Sequence, residues 1–197
     1  MMTSFYLKGQ YLDKIMKCIL DCRDIVDVGY AAINNCDMIY CRIHDVNGKI
    51  MLYKKDFFMD EIIFVSVNLQ IIVEPVSPIS DEMIDYLLTN SFKFWVVSKD
   101  RQLIKELYIK NCTMTLGLLE EDKYLELTDQ DFIVSFVILL FADDIMSRMK
   151  NFRDEWRNVN FYCYNVKSEN SAGTCKRAEL DGVLFTKSLI SRLKDYV

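Results

Sequence analysis

WVVSKDRQLIKELY, residues 95–108, is the stretch on which the fold turns. Trp95, Val96 and Val97, with Phe94 before them, form a short apolar strand of aromatic and β-branched residues. Ser98 and Lys99 follow, then Leu103, Ile104 and Leu107 recur at helical spacing. The same succession returns at 183–196 as VLFTKSLISRLKDY, with Thr186-Lys187 in the place of Ser98-Lys99 and Leu189, Ile190 and Leu193 on the helix. Each unit reads as strand, hydroxyl, lysine and short amphipathic helix, the hydroxyl supporting the helix start.

Working outward toward the N-terminus, Leu12, Ile15, Met16, Ile19 and Leu20 predict an amphipathic helix over 10–24. Val26, Val28, Tyr30 and Ala32 alternate as a half-buried strand does. Met38 to Ile43 reads as a second strand, and Asn47-Gly48 as a two-residue hairpin returning through Ile50 to Tyr53. Ile62 to Val67 and Leu69 to Val73 are β-rich runs closed by Pro75 and Pro78, and Ser80 with Asp81 and Glu82 opens a helix reaching Thr89.

On the other side, Cys112 to Leu118 is expected to be a strand. Asp131 to Phe141 is apolar without a clear period. Ile145, Met149, Phe152 and Trp156 mark a helical face, Phe161 to Val166 a strand, and Lys167 to Gly182 an exposed, mobile loop. Together these predict a single α+β domain over 1–197, built on a mainly antiparallel sheet with several short amphipathic helices. A subdivision into 1–74, a helix plus β-meander, and 79–197, an α/β part, is possible.

The formal charge of −5 argues against a duplex nucleic-acid binder, which needs phosphate-neutralising cations, and favours a basic partner. Seven irregularly placed cysteines and an N-terminus (Met1 to Asp13) without an apolar core point to a reducing cytoplasm. The longest apolar run, Phe132 to Ala142, falls well short of the roughly 20 residues of a membrane span.

No catalytic, cofactor or metal site assembles on spacing alone. The glycines stand too far apart for a phosphate-cradling loop. Cys18, Cys22, Cys36, Cys41 and the single histidine, His44, include no C-x-x-C pair. Cys41 and His44, three apart on a strand, point to opposite faces and so make no nucleophile–base dyad. Asp143-Asp144 follows an apolar run, the place of metal-binding carboxylates in several phosphoryl-transfer enzymes, and equally suits a helix start. Phe161-Tyr162-Cys163-Tyr164 reads as a strand with one buried face. Glu120, Glu121, Asp122, Glu126, Asp129 and Asp131, with Tyr124 among them and only Lys123 as counter-charge, form the expected partner-binding surface.

Four segments carry a resemblance: Asp85-Tyr86-Leu87, Trp95-Val96-Val97-Ser98 to Leu107, Ile138 to Ser147 with Asp143-Asp144, and Leu184-Phe185-Thr186 to Leu193. Over a little more than half the chain this pattern resembles the Imm-eleven immunity proteins of bacterial polymorphic-toxin systems. The resemblance implies a non-enzymatic, cytoplasmic protein that binds and neutralises a cognate toxin, without cofactor or metal. Two other readings stand beside it. One is a viral host-interaction protein, which suits the Lys-, Ile-, Asn- and Tyr-rich, Gly-poor composition. The other is a metal-dependent nuclease or phosphohydrolase using Asp143 and Asp144.

Overall fold

The computed structural model describes residues 16–120 and 133–193. In chain order the elements are β1 (Lys17–Cys22), α1 (Ile25–Ile33), β2 (Met38–Val46), β3 (Lys49–Leu52), α2 (Met59–Val65), β4 (Gln70–Pro75), α3 (Asp81–Thr89) and β5 (Phe94–Ser98). They continue with α4 (Arg101–Lys110), β6 (Thr115–Glu120), β7 (Phe136–Leu140), α5 (Ile145–Glu155), β8 (Asn160–Tyr164), α6 (Glu169–Arg177), β9 (Gly182–Phe185) and α7 (Lys187–Leu193). The sheet runs β1-β9-β8-β7-β6-β5-β4-β2, and β2 pairs back on β1. Every pairing in this ring is parallel; only β3 is antiparallel, folded back on β2 as a hairpin. The architecture is thus a closed parallel β/α barrel of the triosephosphate-isomerase type, which corrects the expectation of a mainly antiparallel α+β sheet.

The reason lies in how the two strand faces are used. Ile19, Met38, Tyr40, Ile72, Val97, Leu119, Phe136, Ile138 and Tyr162 pack together without any helical residue, so they fill the barrel interior. The alternate strand residues, such as Leu20, Cys41, Val73, Val96, Leu118, Val137 and Phe161, pack outward against helical Leu103, Ile104, Leu107, Ile145, Met149 and Ala172. Strands buried on both faces read as continuous apolar runs and lose the alternation that marks a half-exposed antiparallel strand. A Cβ on Gly117 would lie 2.4 Å from the Phe136 ring, so only glycine lets that ring occupy the centre.

Four local expectations are overturned. The predicted helix over 10–24 is replaced from Lys17 by β1, whose two faces are both buried; residues 10–15 lie outside the described segments. The predicted strand at 26–32 is α1: Asp24 caps it by accepting from the Val26 amide, and Val28 and Ala31 are buried at a helical interval while Val26 is exposed. Of the predicted β-run at 62–67, Ile62 to Val65 is the end of α2, whose Glu61 accepts from the Phe58 amide, and Ser66 is its C-cap. The predicted loop Lys167 to Gly182 contains α6, started by a Ser168–Ser171 capping box and anchored by the small residues Ala172 and Cys175. By contrast, the Asn47-Gly48 hairpin, the Ser80-capped α3, α4 and α5 fold as their patterns predict. In α4 the cap is Asp100, and Ser98 Oγ accepts from the Asp100 amide. Among the described residues no helix is long and apolar enough to cross a membrane.

Candidate functional site

A parallel barrel brings the C-terminal ends of all its strands to one face, where such barrels carry their active sites. Asp21 and Glu74 stand at that end of β1 and β4, and Arg42 stands level with Glu74 on the longer β2, each two residues beyond an inward-pointing side chain (Ile19, Ile72 and Tyr40). The register sets Asp21 beside Tyr40 and Arg42 beside Glu74. Glu74 is buried, and its Oε2 accepts from both the Tyr40 hydroxyl and Arg42 Nε, the latter at 3.0 Å. Burial, then the Glu74 charge and its hydrogen bond, push the Tyr40 phenol far above its ordinary value, so it remains a protonated donor.

Outside this buried pair, the Arg42 guanidinium is half exposed and lies 4.9 Å over the Tyr53 ring, which also carries Lys54 Nζ at 5.1 Å. Arg23 holds Asp21 through Nε and Nη2, at 2.9 and 2.7 Å. Between the end of β1 and the β2–β3 hairpin these groups enclose a cavity of about 330 Å³. Four cations (Arg23, Arg42, Lys54 and Lys55) line it against one carboxylate, Asp21. On a chain of net charge −5 this is a local reversal of sign, suited to an anion. A second depression on the same face shares Asp21 and Arg23 and reaches Lys187, whose Nζ donates to Asp27 Oδ1 at 2.9 Å. That bond raises the Lys187 pKa.

The residues singled out from sequence fare differently. Asp143 and Asp144 are exposed between β7 and α5, with Asp144 at the N-cap position. Among the described residues no three His, Cys, Asp or Glu side chains, these two aspartates included, stand close enough to hold a metal ion. Glu120 ends β6 and pairs with Arg101 at 2.9 Å; Glu121, Asp122, Tyr124, Glu126, Asp129 and Asp131 lie outside the described residues. Cys22 and Cys41 are neighbours across β1 and β2, and a hydrogen bond between their free, buried thiols, with burial, raises the Cys41 pKa. His44 sits partly exposed on β2 with its ring edge on Tyr53, 5.4 Å between centroids. Sequence reasoning passed over Asp21, Arg23, Arg42, Tyr53, Lys54 and Lys55. One signal was present: Tyr40 and Arg42, two apart on a strand, share a face, yet only barrel closure brings Arg23 to them.

No family model and no curated protein matches the sequence. Solved structures do. A glycerophosphodiester phosphodiesterase from Parabacteroides distasonis superposes with a TM-score of 0.75 at 10% identity, over 93% of this chain and 97% of that one. An Oleispira antarctica phosphodiesterase, in complex with the product sn-glycerol-3-phosphate, gives 0.75 at 9% identity, over 92% and 96%. The Thermotoga maritima glycerophosphodiester phosphodiesterase gives 0.63 at 12%, over 89% and 96%. These likenesses establish the barrel fold. They also overturn the resemblance to Imm-eleven proteins, because the two strand–hydroxyl–helix units behind it are β5–α4 and β9–α7, two ordinary repeats of the barrel. The expectations of a toxin-neutralising, non-enzymatic protein fall with it, since the neighbours are enzymes acting on phosphodiesters.

Proposed function

We propose that this chain is a phosphohydrolase acting on small phosphodiesters at the C-terminal mouth of the barrel. The observation that carries the reading is the cation-lined cavity formed by Arg23, Arg42, Lys54 and Lys55, in the position where barrels of this kind bind their substrates. The structural neighbours support it, being phosphodiesterases, one of them with a glycerol phosphate product bound.

The assigned roles follow from charge and place. Hydrolysis of a phosphodiester gathers negative charge on the phosphoryl oxygens, and preorganised donors aimed at that charge lower the barrier. Arg42 is preorganised by Glu74 and by the face of Tyr53. Arg23 is held by Asp21. Asp21, on the cavity wall, holds Arg23 through Oδ2 and takes through Oδ1 a proton of the water that attacks phosphorus. The P–O bond to the alcohol breaks as the new one forms, and that proton passes to the leaving alkoxide. A cavity of about 330 Å³ is at the small end for ligand pockets, matching a phosphate with a short alcohol on either side.

Hydrolysis of bis(p-nitrophenyl) phosphate and of glycerophosphodiesters by the full chain tests this. Asp21→Asn is expected to lower kcat by about 100-fold or more, and Arg42→Ala to raise KM as well as lower kcat. A wild-type chain that cleaves no phosphodiester, or an Asp21→Asn variant with undiminished turnover, refutes the assignment.

A further inference from the structure

We infer that the mouth of this barrel binds phosphate esters with protein cations alone, Arg42 taking the charge-neutralising place a divalent metal would hold. The inference rests on the phosphodiester reading above and goes further, to what supplies the positive charge.

A divalent cation at a phosphoryl site needs several hard oxygen ligands, carboxylates above all, free to turn toward it. Four described carboxylates on or beside the cavity, Asp21, Glu74, Asp24 and Asp27, are each committed to a cation of the chain. Glu74 Oε2 is shared by Tyr40 and Arg42. Asp21 Oδ2 takes both donors of Arg23. Asp27 accepts from the Arg23 amide at 2.9 Å through Oδ2 and from Lys187 at 2.9 Å through Oδ1. Asp24 caps α1 through Oδ1 and faces Lys55 at 3.7 Å through Oδ2. A metal entering the cavity would meet Arg23, Arg42, Lys54 and Lys55 in place of open carboxylates. Among the described residues, those at the cavity do not fit the ion.

They do fit an oxyanion. Arg42 spends Nε on Glu74, which leaves its two terminal nitrogens for a bidentate pair to phosphoryl oxygens. Tyr53 fixes the plane of that guanidinium and carries Lys54 on the same ring, so two cations share one aromatic platform beside the cavity. The buried Tyr40 hydroxyl donates to the same Glu74 oxygen that accepts from Arg42 Nε, so the carboxylate is fixed in place beneath the guanidinium.

The test is calorimetric titration of the full-length protein with inorganic phosphate and with glycerol 3-phosphate. It is run in excess EDTA, then with magnesium or calcium replacing the chelator, and phosphodiester turnover is followed under the same conditions. Binding in EDTA that changes less than about twofold when metal is supplied, and weakens about tenfold or more in Arg42→Ala, is the expected result. Lys54→Ala with Lys55→Ala, both exposed, is expected to weaken binding as well; it provides the check should Arg42→Ala fail to fold. Phosphate binding that appears only with metal, or stoichiometric magnesium or calcium binding by the free protein, overturns the inference even if turnover is robust. Phosphate held in EDTA by a chain that cleaves no phosphodiester supports the inference while removing the hydrolase reading.

Discussion

Gly117→Ala offers a direct measurement of how the barrel is filled. Gly117 on β6 faces Phe136 on β7, and a Cβ there would stand 2.4, 2.5 and 2.7 Å from three carbons of the ring. Ordinary carbon–carbon contact begins near ~3.5 Å, so the ring must retreat by roughly 1 Å. It has nowhere to go: Phe136 is fully buried, with the Trp95 ring centroid at 5.5 Å and that of Tyr162 at 6.0 Å. Overpacking of this kind costs about 1–3 kcal/mol, and the enclosure by two aromatic rings places this site toward the upper end. For a chain of this size that lowers Tm by about 6–10 °C. Thermal and urea unfolding of the wild type, Gly117→Ala, Phe136→Leu and the double variant form a cycle. Removing the ring relieves the clash, so Phe136→Leu should cost less in the Gly117→Ala background, with a coupling energy above about 0.5 kcal/mol. Strict additivity would mean that the methyl and the ring never meet, and the inward packing described here would be wrong.

Two further perturbations address the polar framework. Tyr40→Phe removes the donor to buried Glu74 and should cost about 1–3 kcal/mol at neutral pH. Because the folded-state pKa of Tyr40 is raised, its contribution is fully present below the ordinary tyrosine value of about 10 and is lost as pH rises above it. Urea midpoints followed across that range should therefore fall less steeply in Tyr40→Phe than in the wild type; equal slopes would contradict the raised pKa. Asp181→Asn should destabilise by about 2–3 kcal/mol, since this buried carboxylate accepts from Arg153 Nη2 at 2.9 Å and from the Phe161 amide at 2.8 Å. The estimate sits below that for a fully buried pair because the Arg153 side chain keeps 27% exposure. Urea unfolding measures it, and a loss under about 0.5 kcal/mol would show that Asp181 does not join the start of β8 to β9.

How far the fold and site were legible follows from what each signal depends on. Ser80, the Asn47-Gly48 turn and the Leu103-Ile104-Leu107 face act within a few residues, and each does in the structure what its chemistry predicts. Strand direction is different. Nothing local in Val96-Val97 or Val183-Leu184 says whether the partner runs parallel, and burial on both faces removes the alternation that would have shown which side is wet. The recurrence of strand, hydroxyl and helix at 95–108 and 183–196 was the visible trace of a β/α repeat. The repeats between are masked by an aromatic-rich β8 and by α6, whose small buried residues carry little hydrophobic signal. The site was hidden for a further reason. Net charge is a sum over the whole chain, whereas binding answers to the local field. The cations that line the cavity come from the end of β1, from β2 and from the turn after β3, on a chain whose total is −5. Closing the sheet places Arg23 and Arg42 at one mouth, and pairing β4 beside β2 sets Glu74 under Arg42. The positive pocket is therefore a product of topology, and a sequence read segment by segment assigns its members to unrelated surface charges.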